Sequence, residues 1–409
     1  MGAPGDLTLR GVRVVDARGV RAEGADVRIE AGRIASIGAP AADAVPSGPV
    51  LDLAGRTVTP GLMNAHAHIC LDGGPDPDRT IREETLTERA LRSARRLDET
   101  LAAGVTTIRD LGGTGSLAIE LAAMIERGEL VGPRMLAVGR VVTITGGHGH
   151  WIGIEADGPD AVRRAVRTLI KEGATATKLM ATGGMMTAGR QAGVPQLTIE
   201  EMGVAVEEAH KRNLPVGAHA ESRVGVLNAL RAGVDSVEHG HGGDQEAIDL
   251  LLERGAFLVP TILSDRRIIE GGVGAGISAE VVEQCEALAD DLVRFLEPAI
   301  RAGVRIAAGN DGGAPLVGCG EIVAELELYV RHGMRPIDAL ASATTNTAAL
   351  FRLNDVGLVE PGYVADLLVV DGDPIASVAA LAEPAFVIKD GNVVAGRGTD
   401  SARRAGPGI

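Results

Sequence analysis

Met63-Asn64-Ala65-His66-Ala67-His68 is the stretch whose reading decides the fold. Two histidines at i and i+2 on a strand point to the same side, as joint ligation of a metal ion requires. Upstream, Arg56-Thr57-Val58-Thr59-Pro60-Gly61-Leu62 is rich in β-branched residues and then broken by Pro-Gly. A short strand therefore turns into the segment that delivers both imidazoles.

Outward from this stretch the pattern alternates strand and helix, as a parallel barrel demands. Eight strand candidates can be counted: the His66/His68 strand, Val105 to Asp110, Met135 to Val138, Ala174 to Met180, Pro215 to His219, Ser236 to His239, Phe257 to Pro260 and Arg305 to Asp311. Helical stretches such as Leu86 to Ala103, Asp160 to Glu172, Thr198 to Arg212 and Ser222 to Ala232 separate them, several closed by glycine. The expected fold is α/β, a (β/α)8 TIM barrel of about 250 residues or more over residues 60–356. The two ends read differently. Leu7 to Thr59 breaks into short alternating strands punctuated by Gly and Asp, and the texture returns at Asp366 to Val370 and Ala385 to Lys389, before an Asp390-Gly391-Asn392 turn. One small β-sandwich built from both termini, residues 1–59 and 357–409, is predicted, with Gly396 to Ile409 as a loose tail.

Composition narrows the partners. A net charge of -15 argues against a phosphate-backbone ligand, so no nucleic acid is expected. No apolar run approaches the ~18 residues that cross a bilayer, so no membrane association is expected. The first six residues have neither a basic start nor an apolar stretch, which predicts a cytoplasmic protein. Cys70, Cys285 and Cys319 have no metal-type spacing and suit reduced thiols. The chain has only four lysines, 171, 178, 211 and 389, within a Lys+Arg total of 40, so a lysine inside a strand stands out.

Five of the eight strand candidates end in a possible ligand: His66 with His68, Lys178, His219, His239 and Asp311. Barrel active sites lie at that C-terminal face. Each alone has an ordinary reading, a hydrogen-bonded histidine or a helix-capping aspartate, but their conjunction in strand order does not. Lys178 needs its own account, because an ammonium has no lone pair for a cation and is costly to bury beside one. Either it lies outside the site or it adds carbon dioxide and becomes a carbamate, a carboxylate on a long arm that can bridge two cations.

With these residues in place the sequence resembles the amidohydrolase superfamily along nearly its whole length. The family's His-x-His stands as His66-Ala67-His68, its bridging lysine matches Lys178, the histidines after strands five and six match His219 and His239, and the aspartate after strand eight matches Asp311. Gly362-Tyr363-Val364-Ala365-Asp366-Leu367 matches the segment that returns the chain to the sandwich. Gly104 to Asp110, Gly146-Gly147-His148-Gly149 and Glu238-His239-Gly240 look like the imidazolonepropionase-related group containing Xaa-Pro dipeptidases and carboxypeptidase-like dipeptidases. Ochratoxin-degrading amidases, which also cleave an acyl bond to an amino acid, are similar. In one respect the chain departs from some dipeptidase-like members: where they carry a tyrosine two residues beyond the strand-five histidine, Glu221 stands here.

The resemblance implies two divalent ions, with zinc the expected metal, and carbon dioxide held as the Lys178 carbamate. It implies a hydroxide nucleophile, Asp311 as general base, and the amide C–N bond of a dipeptide or N-acyl amino acid as target. His148 is placed to donate to the scissile carbonyl oxygen. His150, Arg190 and Glu221 are candidate substrate contacts, with Trp151 and His241 nearby in sequence, and Arg109 and Asp110 read as a structural pair. A homo-oligomer is expected from similar proteins. The alternatives are a cyclic-amide hydrolase of imidazolonepropionase type, a mononuclear deaminase and a non-catalytic scaffold. Two features oppose the deaminase: it usually lacks Lys178, and it carries a glutamate where Ser222 stands. Specificity is assigned to the loops Leu71 to Thr80, Met185 to Gln196 and Gly312 to Gly320.

Overall fold

Leu7–Asp16 and Gly19–Glu30 pair antiparallel, with Asp16 opposite Gly19 and Leu7 opposite Ile29. Alternation puts Leu9, Val27 and Ile29 on one buried face. In this computed structural model, which describes residues 5–39, 48–187, 189 and 192–396, that hairpin opens an eight-stranded sheet. Thr57–Pro60 joins it parallel to Leu7–Asp16 and antiparallel to Leu367–Val370. Phe386–Lys389 and Asn392–Gly396 continue the sheet, so both chain ends build one element. The expected tail lies outside the described residues beyond Gly396.

The middle of the chain forms parallel sheets. Leu62–Ala67, Val105–Asp110 and Arg134–Ala137 make one of three strands. The other has seven, in the order Gly153–Glu155, Val141–Thr143, Thr177–Met180, Val216–Ala220, Ser236–His239, Phe257–Val259 and Arg305–Ile306. Backbone bonds also tie the three-stranded sheet to segments flanking the seven-stranded one, among them Ala65 N–H to the Ala308 carbonyl (2.7 Å) and Thr175 N–H to the Ala137 carbonyl (2.9 Å). The last strand is shorter than the sequence suggests. Its ladder stops at Ile306, and the chain bends so that Asp311 takes a left-handed φ of 55°.

Helices cover these strands, and their ends follow local chemistry. Leu86–Ala102 and Ile199–His210 each start in a capping box, Thr85 with Glu88 and Thr198 with Glu201. Pro159–Glu172 and Arg223–Ala232 stop at Gly173 and Gly233, both left-handed, where a side chain would be strained. A 24-residue helix, Ala279–Ala302, carries Pro298 near its C-terminal end. All three cysteines are buried and unpaired. Among the described residues no helix is long and apolar enough to cross a membrane.

Pro159–Glu172 and Ile199–His210 are joined by a charge cluster. Glu208 accepts from Arg167 Nε (2.9 Å), Lys211 Nζ (3.0 Å) and Arg163 Nη1 (2.5 Å). These bonds, that from Arg167 foremost, outweigh burial and bring the Glu208 carboxyl from 4.5 down to about 2. A carboxyl depressed in the folded state stabilises fully above its unfolded pKa and loses that contribution as pH falls through the folded value. Glu208→Gln is therefore expected to cost about 1 kcal/mol at pH 7, two of its three partners, Arg167 and Lys211, being exposed. The cost should shrink between pH 4.5 and about 2 in denaturant titrations.

Candidate active site

The side chains of His66 and His68 leave the first parallel strand on the same side and meet Asp311. His66 Nε2 lies 3.2 Å and His68 Nε2 3.4 Å from Asp311 Oδ1. Lys178 Nζ reaches within 3.4 Å of His66 Nε2. His239 brings its ring 5.0 Å from that of His66 and 4.7 Å from that of His219, centroid to centroid. The six residues expected as ligands are thus gathered at one place, from five strand ends.

Three of the four rings are held through Nδ1, whereas His219 turns its Nε2 to the Gly183 carbonyl at 3.3 Å. His68 Nδ1 donates to the Gly112 carbonyl (2.8 Å), His66 Nδ1 meets Glu238 Oε2 (3.0 Å), and His239 Nδ1 meets Thr261 Oγ1 (2.7 Å). Such contacts turn the Nε2 atoms of His66, His68 and His239 toward the cluster. Burial, then neighbouring positive groups, drives the pKa of His219 and His239 well below the usual histidine range, so both stand as the neutral imidazoles that bind metals. Burial alone would raise Asp311, but His66 and His68 hold it well below the carboxylate range, as an anion. Burial lowers Lys178 to about 8.

Behind His66 lies a charged strut. Glu238 and Arg109 are fully buried and joined Oε1 to Nη2 at 2.8 Å. Arg109 also donates to the Ala65 carbonyl (2.7 Å) and to Ser236 Oγ (3.2 Å). Burial pushes the Glu238 carboxyl upward, yet Arg109 and His66 keep it far below its ordinary value. Asp110 does not pair with Arg109 as the sequence suggested. Adjacent strand residues face opposite ways, and Asp110 accepts instead from Ile69 N–H (2.7 Å) and Gly112 N–H (3.1 Å).

Two groups of donors suit a cation: His66, His68 and Asp311, and His219, Glu221 and His239, with the ligand atoms of each group within 4.8 Å of one another. Neutral imidazoles and carboxylates are the donor types divalent transition metals take. His239, Thr261 and Asp311 all have left-handed φ, 64°, 56° and 55°. Non-glycine strain of this kind concentrates at functional sites.

The cleft above encloses about 630 Å³, including its solvent-filled mouth. His148 lines it, with Nδ1 2.6 Å from Thr187 Oγ1 and its ring 4.3 Å from that of His219. Burial foremost lowers His148 to about 3, so it is neutral. Trp151 and Glu221 also line the cleft. His150 does not: it is exposed and turned to the Gly147 carbonyl (3.0 Å). His241 stands behind, bonded to Asp265 (2.8 Å). Arg190 lies outside the described residues. Glu238, Thr187 and Thr261 went unassigned in the sequence. The strands that carry the strut, Val-Thr-Thr-Ile-Arg-Asp and Ser-Val-Glu-His, are largely polar in sequence, so no local signal singles out Arg109 and Glu238.

Neutral imidazoles and an anionic carboxylate at the ends of parallel strands, facing a cleft, define a hydrolase of carbon–nitrogen bonds in the light of the relatives they match. The chain belongs to the amidohydrolase family, which it matches over residues 57–394. It is 33% identical over 363 residues to the ochratoxinase of Aspergillus niger, covering 80% of this chain and 73% of that one. To the imidazolonepropionase of Geobacillus kaustophilus it is 27% identical over 401 residues, covering 85% and 84%. The solved structure of a Xaa-Pro dipeptidase with methionine bound in its active site superposes with a TM-score of 0.87 at 29% identity, covering 95% of this chain and 99% of that one.

Glu238→Gln tests the strut. It leaves Arg109 a buried cation without its anion and is expected to cost about 3–5 kcal/mol in unfolding free energy. Affinity for an added divalent metal ion should fall about 10–100-fold with it. Unchanged affinity in a competitive chelator titration would show that the strut does not orient His66.

Proposed function

We propose that the chain is a binuclear metal-dependent hydrolase cleaving the amide bond of a dipeptide or N-acyl amino acid. The observation that carries this is the convergence of His66, His68, Lys178, His219, His239 and Asp311 at one end of the parallel strands, beneath one cleft. In this reading residues 60–356 close into a (β/α)8 barrel, and 1–59 with 357–409 form a small β-sandwich.

His66, His68 and Asp311 would hold one ion and His219 with His239 the other, with Lys178 between them. Two divalent ions, zinc by the donor set, supply a water acidified to a pKa of about 7 and an electrophile for the scissile carbonyl. Lys178 suits the bridging place once it carries carbon dioxide. Its amine nitrogen attacks the carbon, a proton leaves, and a cation is exchanged for a carbamate anion. A pKa near 8 favours this, since about a tenth of the amine is unprotonated at pH 7.

Asp311 takes the proton from the attacking water and passes it to the departing amine nitrogen. With the Thr187 hydroxyl donating to His148 Nδ1, the imidazole proton sits on Nε2 and is available to the carbonyl oxygen as charge develops there. Neutral His148 keeps its donor without adding a positive charge to a cationic site.

The reading is tested with zinc-reconstituted protein and bicarbonate against pools of dipeptides and N-acyl amino acids, scoring release of free amino acids. Lys178→Ala and Asp311→Asn should each cut release by about 10²–10⁴-fold. No release from any pool, with two metals bound, would sink the reading and turn attention to cyclic amides. His148 is tested through Gly184, where an added Cβ would lie 2.4 Å from His148 Cε1. Gly184→Ala should displace the ring and lower kcat about 10²-fold with metal content unchanged.

A further inference from the structure

Glu221 is more than nine-tenths buried, lines the cleft, and lies next to the ligand atoms, its Oε1 3.8 Å from His219 Nε2. Its position is fixed twice over. Its backbone N–H donates to Thr182 Oγ1 (3.0 Å), and its Oε2 accepts from Met185 N–H (3.0 Å). Among the described residues no lysine or arginine comes within ion-pair distance of it. Arg109 serves Glu238, and the neighbouring Asp265 already has His241 at 2.8 Å. The ionisable side chains lining this part of the cleft are therefore acidic or imidazole, and one buried carboxylate lacks a cation of its own. Burying an unpaired carboxylate is expensive, and a cation delivered by a ligand relieves that expense.

We propose that Glu221 is the specificity residue of the cleft and holds the free α-ammonium of the acyl residue, so that the enzyme selects dipeptides over their N-blocked or desamino counterparts. The proposal rests on the dipeptide reading above and narrows it. Distance assigns the acyl side. The scissile carbonyl must sit where the Nε2 atoms converge, and the α-nitrogen is two bonds from it, within reach of a carboxylate beside His219. A charge at the end of a long side chain on the leaving residue falls nearer the mouth. The remaining wall, formed by Leu71, Trp151, Ile152, Met185, Met186 and Ile268, is apolar and suits the uncharged body of the substrate.

The test compares alanyl-leucine, N-acetyl-alanyl-leucine and propionyl-leucine, the last being the first without its ammonium, on zinc- and bicarbonate-loaded full-length protein. Wild type should favour alanyl-leucine over propionyl-leucine in kcat/KM by about 10–100-fold, the range of a charge-assisted hydrogen bond. Glu221→Gln should collapse that ratio to within about 3-fold of one. Calorimetry adds a readout without turnover: L-alanine should bind more tightly than propionate to wild type, and the difference should vanish in the variant. Equal rates on the two substrates would overturn the inference and leave the dipeptide and N-acyl amino acid reading standing. Hydrolysis of none of the three nor of any pool would overturn both. Loss of zinc from Glu221→Gln would make Glu221 a ligand instead. A preference that follows alanyl-lysine over alanyl-leucine, with no effect of the α-ammonium, would overturn the acyl-side assignment.

Discussion

The ion pair between Arg109 and Glu238 is the contact on which the rest of the site depends. It runs between the two parallel sheets, from Val105–Asp110 to Ser236–His239, and reaches the first strand through the Ala65 carbonyl. Two charges at complete burial would be a liability if each were satisfied only by the other. Here Ser236 donates to Glu238 at 2.5 Å and accepts from Arg109, and His66 closes the set. The second carboxylate oxygen thereby fixes the plane of the ring whose Nε2 meets both Lys178 and Asp311. The proposed metal ligation and the interior packing share one set of hydrogen bonds.

A second constraint is backbone strain at the strand ends. His239 and its partner Thr261 both have left-handed φ, a conformation costing about 1–3 kcal/mol at a non-glycine residue. Glu325 helps hold it, since its two oxygens accept from Ile262 N–H (2.8 Å) and Leu263 N–H (2.7 Å) and so anchor the start of Ile262–Gly271. Thr261 is pinned between that anchored helix and the His239 ring. Positioning of His239 thus reaches back to a fully buried acid on Ile322–Arg331, the helix that follows the Asp311 segment.

The clustering of these residues was legible in the sequence because the ligation proposed for them restricts residue type. Imidazoles at strand ends, two of them at i and i+2, have few other uses in combination. The lysine at 178 stood out against a background of arginine. The sheet built from both ends was legible from its hairpin chemistry, Asp390-Gly391-Asn392 above all. What escaped has physical reasons. Glu238 and Arg109 find each other across 129 residues, and no local pattern links them. His150 shares its glycine-rich loop with His148, yet a left-handed Gly149 turns the two apart, so that one lines the cleft and the other faces solvent. Val141–Thr143 and Gly153–Glu155 are three residues each, too short to carry a period.

The wiring of the first strand has a consequence for how the molecule comes into being. Ala65 N–H bonds to the Ala308 carbonyl and His68 N–H to the Gly312 carbonyl, while Thr57–Pro60 pairs with Leu367–Val370. On the ribosome His66 and His68 emerge well before the backbone that seats them, at Ala308, Gly312 and Leu367–Val370. Pairings of such long range form slowly, and the nascent chain must wait with its first strand unpaired on one side. In the metal-dependent reading proposed above, an ion would meet the complete set of imidazoles with Asp311 only after the chain through Gly312 has been made, and the order of the chain itself would prevent capture by a half-built centre.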